Sequence, residues 1–197
     1  MEIKVRELCK DIADDYIRFF DDRAFSDGSA EKGCYCVWHH WTSEHERARS
    51  LMPAAERPNR KRDFARELIL GGTLHGFCAF CDGQMAGFCN ADLKDNYFRL
   101  SRADNPESWR GIGGERVLAI VCYIVAPDMR HKGIAKALLD YAVRHAQSHG
   151  YDFVEGYPSQ EFSPRDCGGS AGMYIDRGFE IIGVEGGIIA RKKVGKS

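Results

Sequence analysis

The sequence lacks an excess of either charge. Its 28 lysines and arginines are matched by 29 aspartates and glutamates, for a formal net charge of −1, and the two signs are interleaved. A nucleic-acid backbone demands a basic stripe or cluster, so its absence argues against nucleic acid as a general partner. No apolar run approaches the roughly 20 residues that span a bilayer, so no membrane partner is expected. The opening residues, MEIKVRELCKDIADD, are acidic and carry no apolar signal-peptide core, which predicts a cytoplasmic protein. No internal repeat or low-complexity segment is present. With 44% hydrophobic residues, the 197-residue chain predicts one domain over 1–197 built on one core.

Cysteine is plentiful, at eight residues, yet the pattern lacks the marks of a disulfide framework. Cys9, Cys78, Cys81, Cys89 and Cys122 fall inside apolar helix-like or strand-like patterns, where a thiol behaves as a small buried hydrophobe, and a reducing compartment follows. Cys78 and Cys81 form a C-x-x-C, but strand residues three apart point to opposite faces, so they make a poor metal clamp.

The densest signal is VLAIVCYIV-APDMRHKG-IAK. Val117 to Val125 is an almost unbroken apolar, β-branched run, as in a central strand covered on both faces, and Pro127 ends it. Ile134, Leu138, Tyr141, Ala142 and His145 then recur at spacings of three and four, predicting a helix over about 133–148 closed by Gly150. Between them, Arg130, His131 and Lys132 supply positive potential, and Gly133 leaves the unpaired N–H groups of the helix start open to close approach. That arrangement suits a pyrophosphate. An ordinary strand-to-helix turn with solvated basic residues would look the same in isolation.

Around this unit the elements order themselves. Ile3 to Glu7 reads as a strand and Asp11 to Phe25 as a helix with Ile12, Tyr16, Phe19 and Phe20 inward. A charged helical region broken by Pro53 and Pro58 follows Cys34 to Trp41, its second half running from Arg60 to Leu70 and stopping at Gly71-Gly72. His75 to Cys81 and Gln84 to Leu93 flank Asp82-Gly83, the signature of a two-residue hairpin turn. Lys94 to Gly114 is a long polar segment of the kind that serves as a lid or binding loop. Asp152 to Tyr157 completes a βαβ unit and should run parallel to Val117 to Val125. Ala171 to Arg177 is a short helix stopped by Gly178, and Glu180 to Val184 with Ile188 to Lys192 forms a last hairpin around Glu185-Gly186-Gly187.

This order, with R-x-x-G-x-A at Arg130, Gly133 and Ala135 after V-x-P and Y-x-x-x-G-F at Tyr174, Gly178 and Phe179, resembles the GNAT superfamily of N-acetyltransferases over nearly the whole chain. The resemblance implies an α/β (α+β) fold, a central mixed twisted sheet of about seven strands flanked by about four helices, and acetyl-CoA as the phosphate-bearing co-substrate. It also implies that backbone groups of Tyr123, Ile124 and Val125 hold the pantetheine arm while His131, Lys132, Gly133, Ile134, Ala135 and Lys136, after Arg130, bind the pyrophosphate. Glu155 is the candidate base: a parallel strand's C-terminal end shares a sheet edge with the phosphate turn, and the family often has a glutamate there. The alternative is a strand-end carboxylate, solvated or paired with a lysine or arginine. Tyr174 is the candidate donor to the CoA sulfur, or else a core tyrosine. The asparagine the family often carries seven residues before this tyrosine is here Cys167, a departure from the family pattern at that cofactor contact.

Cys34-Tyr35-Cys36-Val37-Trp38-His39-His40-Trp41 packs two thiols, two imidazoles and three aromatics into eight residues. A zinc site with His45 is conceivable by ligand type, but the spacing matches no standard finger, and no metal is predicted. The segment resembles that of a bacterial GNAT subgroup with C-x-C-x-W after the first helix, and the acceptor pocket of the family lies in this region. Tyr35, Trp38 and Trp41 are therefore candidate acceptor contacts, with core packing as the alternative. The expected function is an acyltransferase moving an acetyl group to a primary amine of a small molecule or peptide by direct attack on the thioester, and a homodimer is compatible with it. A CoA-binding sensor without turnover is the alternative, and a zinc or thiol redox protein built on Cys34 and Cys36 the third reading.

Overall fold

The computed structural model describes residues 1–29, 31–97, 100, 114–159, 167–184 and 187–195. Its centre is β4 (Val117–Val125), buried along all but its last residue. β4 pairs antiparallel with β3 (Gln84–Leu93) and parallel with β5 (Phe153–Gly156). β2 (Gly76–Cys81) joins β3 through Asp82 and Gly83, whose φ angles of 50° and 80° are those of the tight turn expected from Asp-Gly. His75, expected in this strand, lies exposed just before it. β1 (Ile3–Glu7) pairs with β2, and β7 (Gly187–Lys193) inserts between β5 and β6 (Glu180–Val184). The seven-stranded order is β1-β2-β3-β4-β5-β7-β6.

Five α-helices are present among the described residues, against about four expected: α1 (Ala13–Arg18), α2 (Ser43–Leu51), α3 (Arg57–Gly71), α4 (Ile134–Ser148) and α5 (Ala171–Ile175). α4 buries Ile134, Leu138, Leu139, Ala142 and Ala146 on the sheet. A Cβ on Gly87 would meet Ile134 of α4, whereas the neighbouring Phe88 meets Tyr16 of α1 edge-on at 4.9 Å, so α1 and α4 cover opposite faces.

Two helix boundaries differ from expectation for local reasons. Asp11 to Phe25 is not one regular helix. A 3₁₀ turn (Lys10–Ile12) precedes α1 and a π turn (Phe19–Arg23) follows it, with the Ala24 N–H donating to the Phe19 carbonyl. The π turn widens the coil by one residue, which lets adjacent Phe19 and Phe20 both bury. Pro58 does not interrupt a helix either. It lies in the first turn of α3, which begins at Arg57, where a missing N–H has no helical partner to lose. The long segment expected as a lid is seen only as Lys94–Asn96, Tyr97, Leu100 and Gly114, its remainder lying outside the described residues, as do Glu185 and Gly186 of the last turn.

Candidate active site

The sheet forks at β4 and β5. The strands pair only from Val117 with Phe153 to Ile120 with Gly156, after which β5 stops and β4 continues to Val125. At the parting point β4 carries a bulge: Cys122 lies opposite Asn90 but Ile120 opposite Ala91, which leaves Val121 as the extra residue. Beyond the bulge the outer edge of β4 has no strand beside it among the described residues. The Tyr123 N–H on that edge donates to the Cys167 carbonyl at 2.6 Å. By strand alternation the Val125 N–H points the same way.

The open edge leads to the start of α4. Gly133 is its N-cap at φ 84°, His131 is also left-handed at φ 60°, and the first helical bond runs from the Ala137 N–H to the Gly133 carbonyl. The N–H groups of Ile134, Ala135 and Lys136 therefore point out of the helix end. A Cβ on Gly133 would meet nothing within 4 Å, so the glycine serves the backbone angle and the space above the turn is open. Three of the surrounding cations have carboxylate partners: Arg130 with Asp27 at 2.7 Å, Arg23 with Asp128 at 2.9 Å and Lys136 with Asp176 at 3.4 Å. Exposed pairs of this kind contribute about 0–1 kcal/mol each, so an arriving anion can displace them.

Tyr174 and Glu155 flank the fork from opposite faces. Tyr174 is fully buried, and its hydroxyl donates to the Gly168 carbonyl at 3.0 Å. Burial pushes its pKa far above the ordinary tyrosine value, which keeps it protonated. The ring lies over Gly156, where a Cβ would come 2.1 Å from the Tyr174 hydroxyl oxygen, so the glycine after Glu155 is what admits Tyr174. Beside it, the Tyr123 hydroxyl is buried, with the Tyr174 and Cys89 side chains as its polar neighbours.

Since adjacent strand residues alternate, Glu155 leaves the sheet on the other face. It is 1% exposed and its Oε2 accepts from Lys94 Nζ at 2.7 Å and from the Tyr157 hydroxyl at 3.1 Å. Among the described residues its Oε1 has only the weaker approach of Arg191 Nε, at 3.5 Å. Arg191 is fixed by Glu115 and lies 3.8 Å from the Phe153 ring centre. Lys94, at 4% exposed, thus forms a buried ion pair with Glu155, and Oε1 keeps lone pairs to spare.

Neither Lys94 nor Arg191 belongs to a motif that marks it in the sequence. The signal was nevertheless present: Asn90, Asp92 and Lys94 fall two residues apart at the end of an otherwise apolar strand, which puts them on one face. All three are buried.

The Cys34 to Trp41 segment crosses that same face. Tyr35 and Cys36 hold left-handed φ angles of 49° and 48°. Their carbonyls are tied down by the Tyr16 hydroxyl and the Asn90 amide, each at 2.8 Å, and the Tyr97 hydroxyl completes Asn90 at 2.8 Å. Of the three aromatics expected at an acceptor, Tyr35 and Trp41 are core residues. Tyr35 bonds to Asp21 and Trp41 donates to Glu46 at 2.9 Å. Trp38 is 49% exposed and is the one that presents its ring to solvent. His45 is occupied in capping α2 through Thr42 rather than joined to the cysteines. Among the described residues no group of three or more His, Cys, Asp or Glu is arranged to hold a metal ion.

His40 carries a pH prediction. Its Nε2 is buried without a hydrogen-bond partner among the described residues, and its ring lies 5.3 Å from that of Tyr97. Burial lowers its pKa below the ordinary 6.5, against the opposing charge of Asp92. With the folded value below the unfolded one, the neutral ring's contribution is complete above pH 6.5 and is lost as pH falls towards the folded value. Thermal melts of His40→Gln should lose less stability than wild type between about pH 7.5 and about pH 5. The difference between the curves separates His40 from His145, whose pKa burial also lowers.

Residues 35–161 match the family model of the acetyltransferase (GNAT) family. Solved structures share the fold at low identity. The PaiA N-acetyltransferase of Thermoplasma acidophilum, in complex with coenzyme A, is 17% identical with a TM-score of 0.54, covering 98% of this chain and 99% of that one. A GNAT acetyltransferase of Streptococcus pneumoniae is 16% identical at 0.54, covering 98% and 100%. The phosphinothricin acetyltransferase of Sinorhizobium meliloti, in complex with AcCoA, is 18% identical at 0.53, covering 99% and 90%. No curated protein sequence matches the chain.

Proposed function

Because the chain belongs to the acetyltransferase (GNAT) family, we propose that it binds acetyl-CoA along the open edge of β4 and transfers the acetyl group to a primary amine of a small molecule or peptide. The observation that carries this reading is the fork itself, a strand edge with no strand paired to it among the described residues, leading from a bulge into the open N-terminus of α4. The Ile134 to Lys136 N–H groups and Arg130, His131 and Lys132 would meet the pyrophosphate. The Val125 N–H would take the pantetheine arm, and the Tyr123 N–H would do so on release from Cys167. The substrate supplies a thioester. Glu155 Oε1 takes a proton from the acceptor ammonium, directly or through water, so that the neutral amine attacks the carbonyl. Tyr174, protonated and rigid, hydrogen-bonds the departing sulfur. Trp38 is the aromatic offered to the acceptor.

The alternative of a CoA-binding sensor has its own support, in the occupation of Glu155 Oε2 by Lys94 and Tyr157. Thiol release from acetyl-CoA across a panel of amines separates the two. Turnover with some amine, reduced in Glu155→Gln and Tyr174→Phe, supports transfer, whereas unchanged turnover in both variants removes these role assignments. Gly133→Ala gives a further prediction. An L side chain at φ 84° costs about 1–2 kcal/mol, and its methyl intrudes on the anion's approach. Acetyl-CoA affinity should fall roughly tenfold for each 1.4 kcal/mol so lost.

A further inference from the structure

Buried thiols in an apolar core are ordinarily separated by other side chains, but Cys36 and Cys122 are not. Their Sγ atoms lie 3.0 Å apart, and the residues are 86 positions apart in sequence. A disulfide requires about 2.05 Å, so bonding needs a closure of only about 1 Å. A third thiol, that of Cys167, neighbours Cys122 and is only partly buried. The three come from different parts of the fold. Cys36 belongs to the segment pinned by Asn90, Cys122 lies on β4 beside the bulge, and Cys167 supplies the carbonyl that takes the Tyr123 N–H.

We propose that Cys36 and Cys122 are an oxidative modification site, a dithiol that a hydroperoxide converts to an intramolecular disulfide through Cys167 as the point of entry. The O–O bond breaks as one oxygen passes to Cys167 Sγ, giving a sulfenic acid and releasing an alcohol, or water from hydrogen peroxide. The Cys122 sulfur then displaces the hydroxyl as water and forms a Cys122–Cys167 bond. Cys36 attacks the Cys122 sulfur, and Cys167 departs as a thiol. In sum, two thiols and one hydroperoxide give one disulfide, one alcohol or water, and one further water.

The order follows from exposure. Burial pushes the Cys36 thiol up to about 11. For Cys122 the neighbouring Cys167 pulls the other way, but the bond with Cys36 and burial leave it well above the ordinary value. Neither thiol reacts readily with a peroxide by itself. The product would fasten the Cys34 to Trp41 segment to the forked strand. It requires no acetyl transfer.

The test is hydrogen peroxide treatment of the native full-length protein, followed by alkylation, digestion and mass spectrometry. We expect the loss of two titratable thiols, a peptide linking Cys36 to Cys122, and reversal by dithiothreitol. Cys167→Ser should slow the linkage at least tenfold. Cys36→Ser should leave Cys122 joined to Cys167, which keeps the test available if substitution of Cys122 itself prevents folding. Retention of all eight thiols, or oxidation confined to exposed Cys9, would overturn the proposal.

Discussion

Gly156→Ala is expected to lower stability by about 2–3 kcal/mol and to remove most acetyl transfer. The added Cβ would fall 2.1 Å from the Tyr174 hydroxyl oxygen and 2.3 Å from the ring carbon that bears it, and the strand and α5 hold both sides. Tyr174 is the part that must move. Its hydroxyl loses the Gly168 carbonyl, a part-buried bond whose breakage costs about 1 kcal/mol. For a chain of this length the melting temperature should drop by roughly 4–12 °C. Tyr174→Ala in the Gly156→Ala background should restore part of that loss, since contacting residues are not additive. Catalysis should stay low in the double variant, because the donor is gone. Equal melting temperatures for wild type and Gly156→Ala would show that the two residues do not meet.

Glu155→Gln is expected to be the most damaging single change at the site. Lys94 is left buried opposite a neutral amide, and breaking a buried pair in this way costs about 3–5 kcal/mol. Lys94→Met should cost less, because Glu155 then retains Tyr157 and Arg191. Combining the two substitutions should recover stability towards wild type, because a buried pair replaced as a unit carries little net penalty. Turnover separates structure from chemistry. A base supplies about 10²–10⁴-fold, so the double variant should be well folded and nearly inactive. Recovery of turnover along with stability would make Glu155 a structural carboxylate.

Much of the fold was legible because its signals are local. The apolar run of β4, the Asp-Gly turn and the three-and-four spacing of α4 each state their structure within a dozen residues. The strand order with β7 inside β6 depends on pairings made at a distance. The π turn after α1 is set by Phe19 and Phe20 competing for one core, which no propensity encodes. The site was legible to the extent that it is backbone: Gly133 and the start of α4 follow from chain geometry. Side-chain partners were not. Lys94 lies 61 residues from Glu155, and only the sheet brings them together. Tyr35 and Trp41 looked like pocket aromatics, yet their rings are buried while half-buried Asp21 and exposed Glu46 take their polar atoms.

Isothermal titration of the wild-type protein with acetyl-CoA tests most directly whether acetyl-CoA occupies the edge of β4 and the start of α4. Saturable binding at one site per chain, weakened in Gly133→Ala while both proteins remain folded, is the predicted result. No binding heat at any temperature tried, or equal affinity in the two proteins, would contradict it.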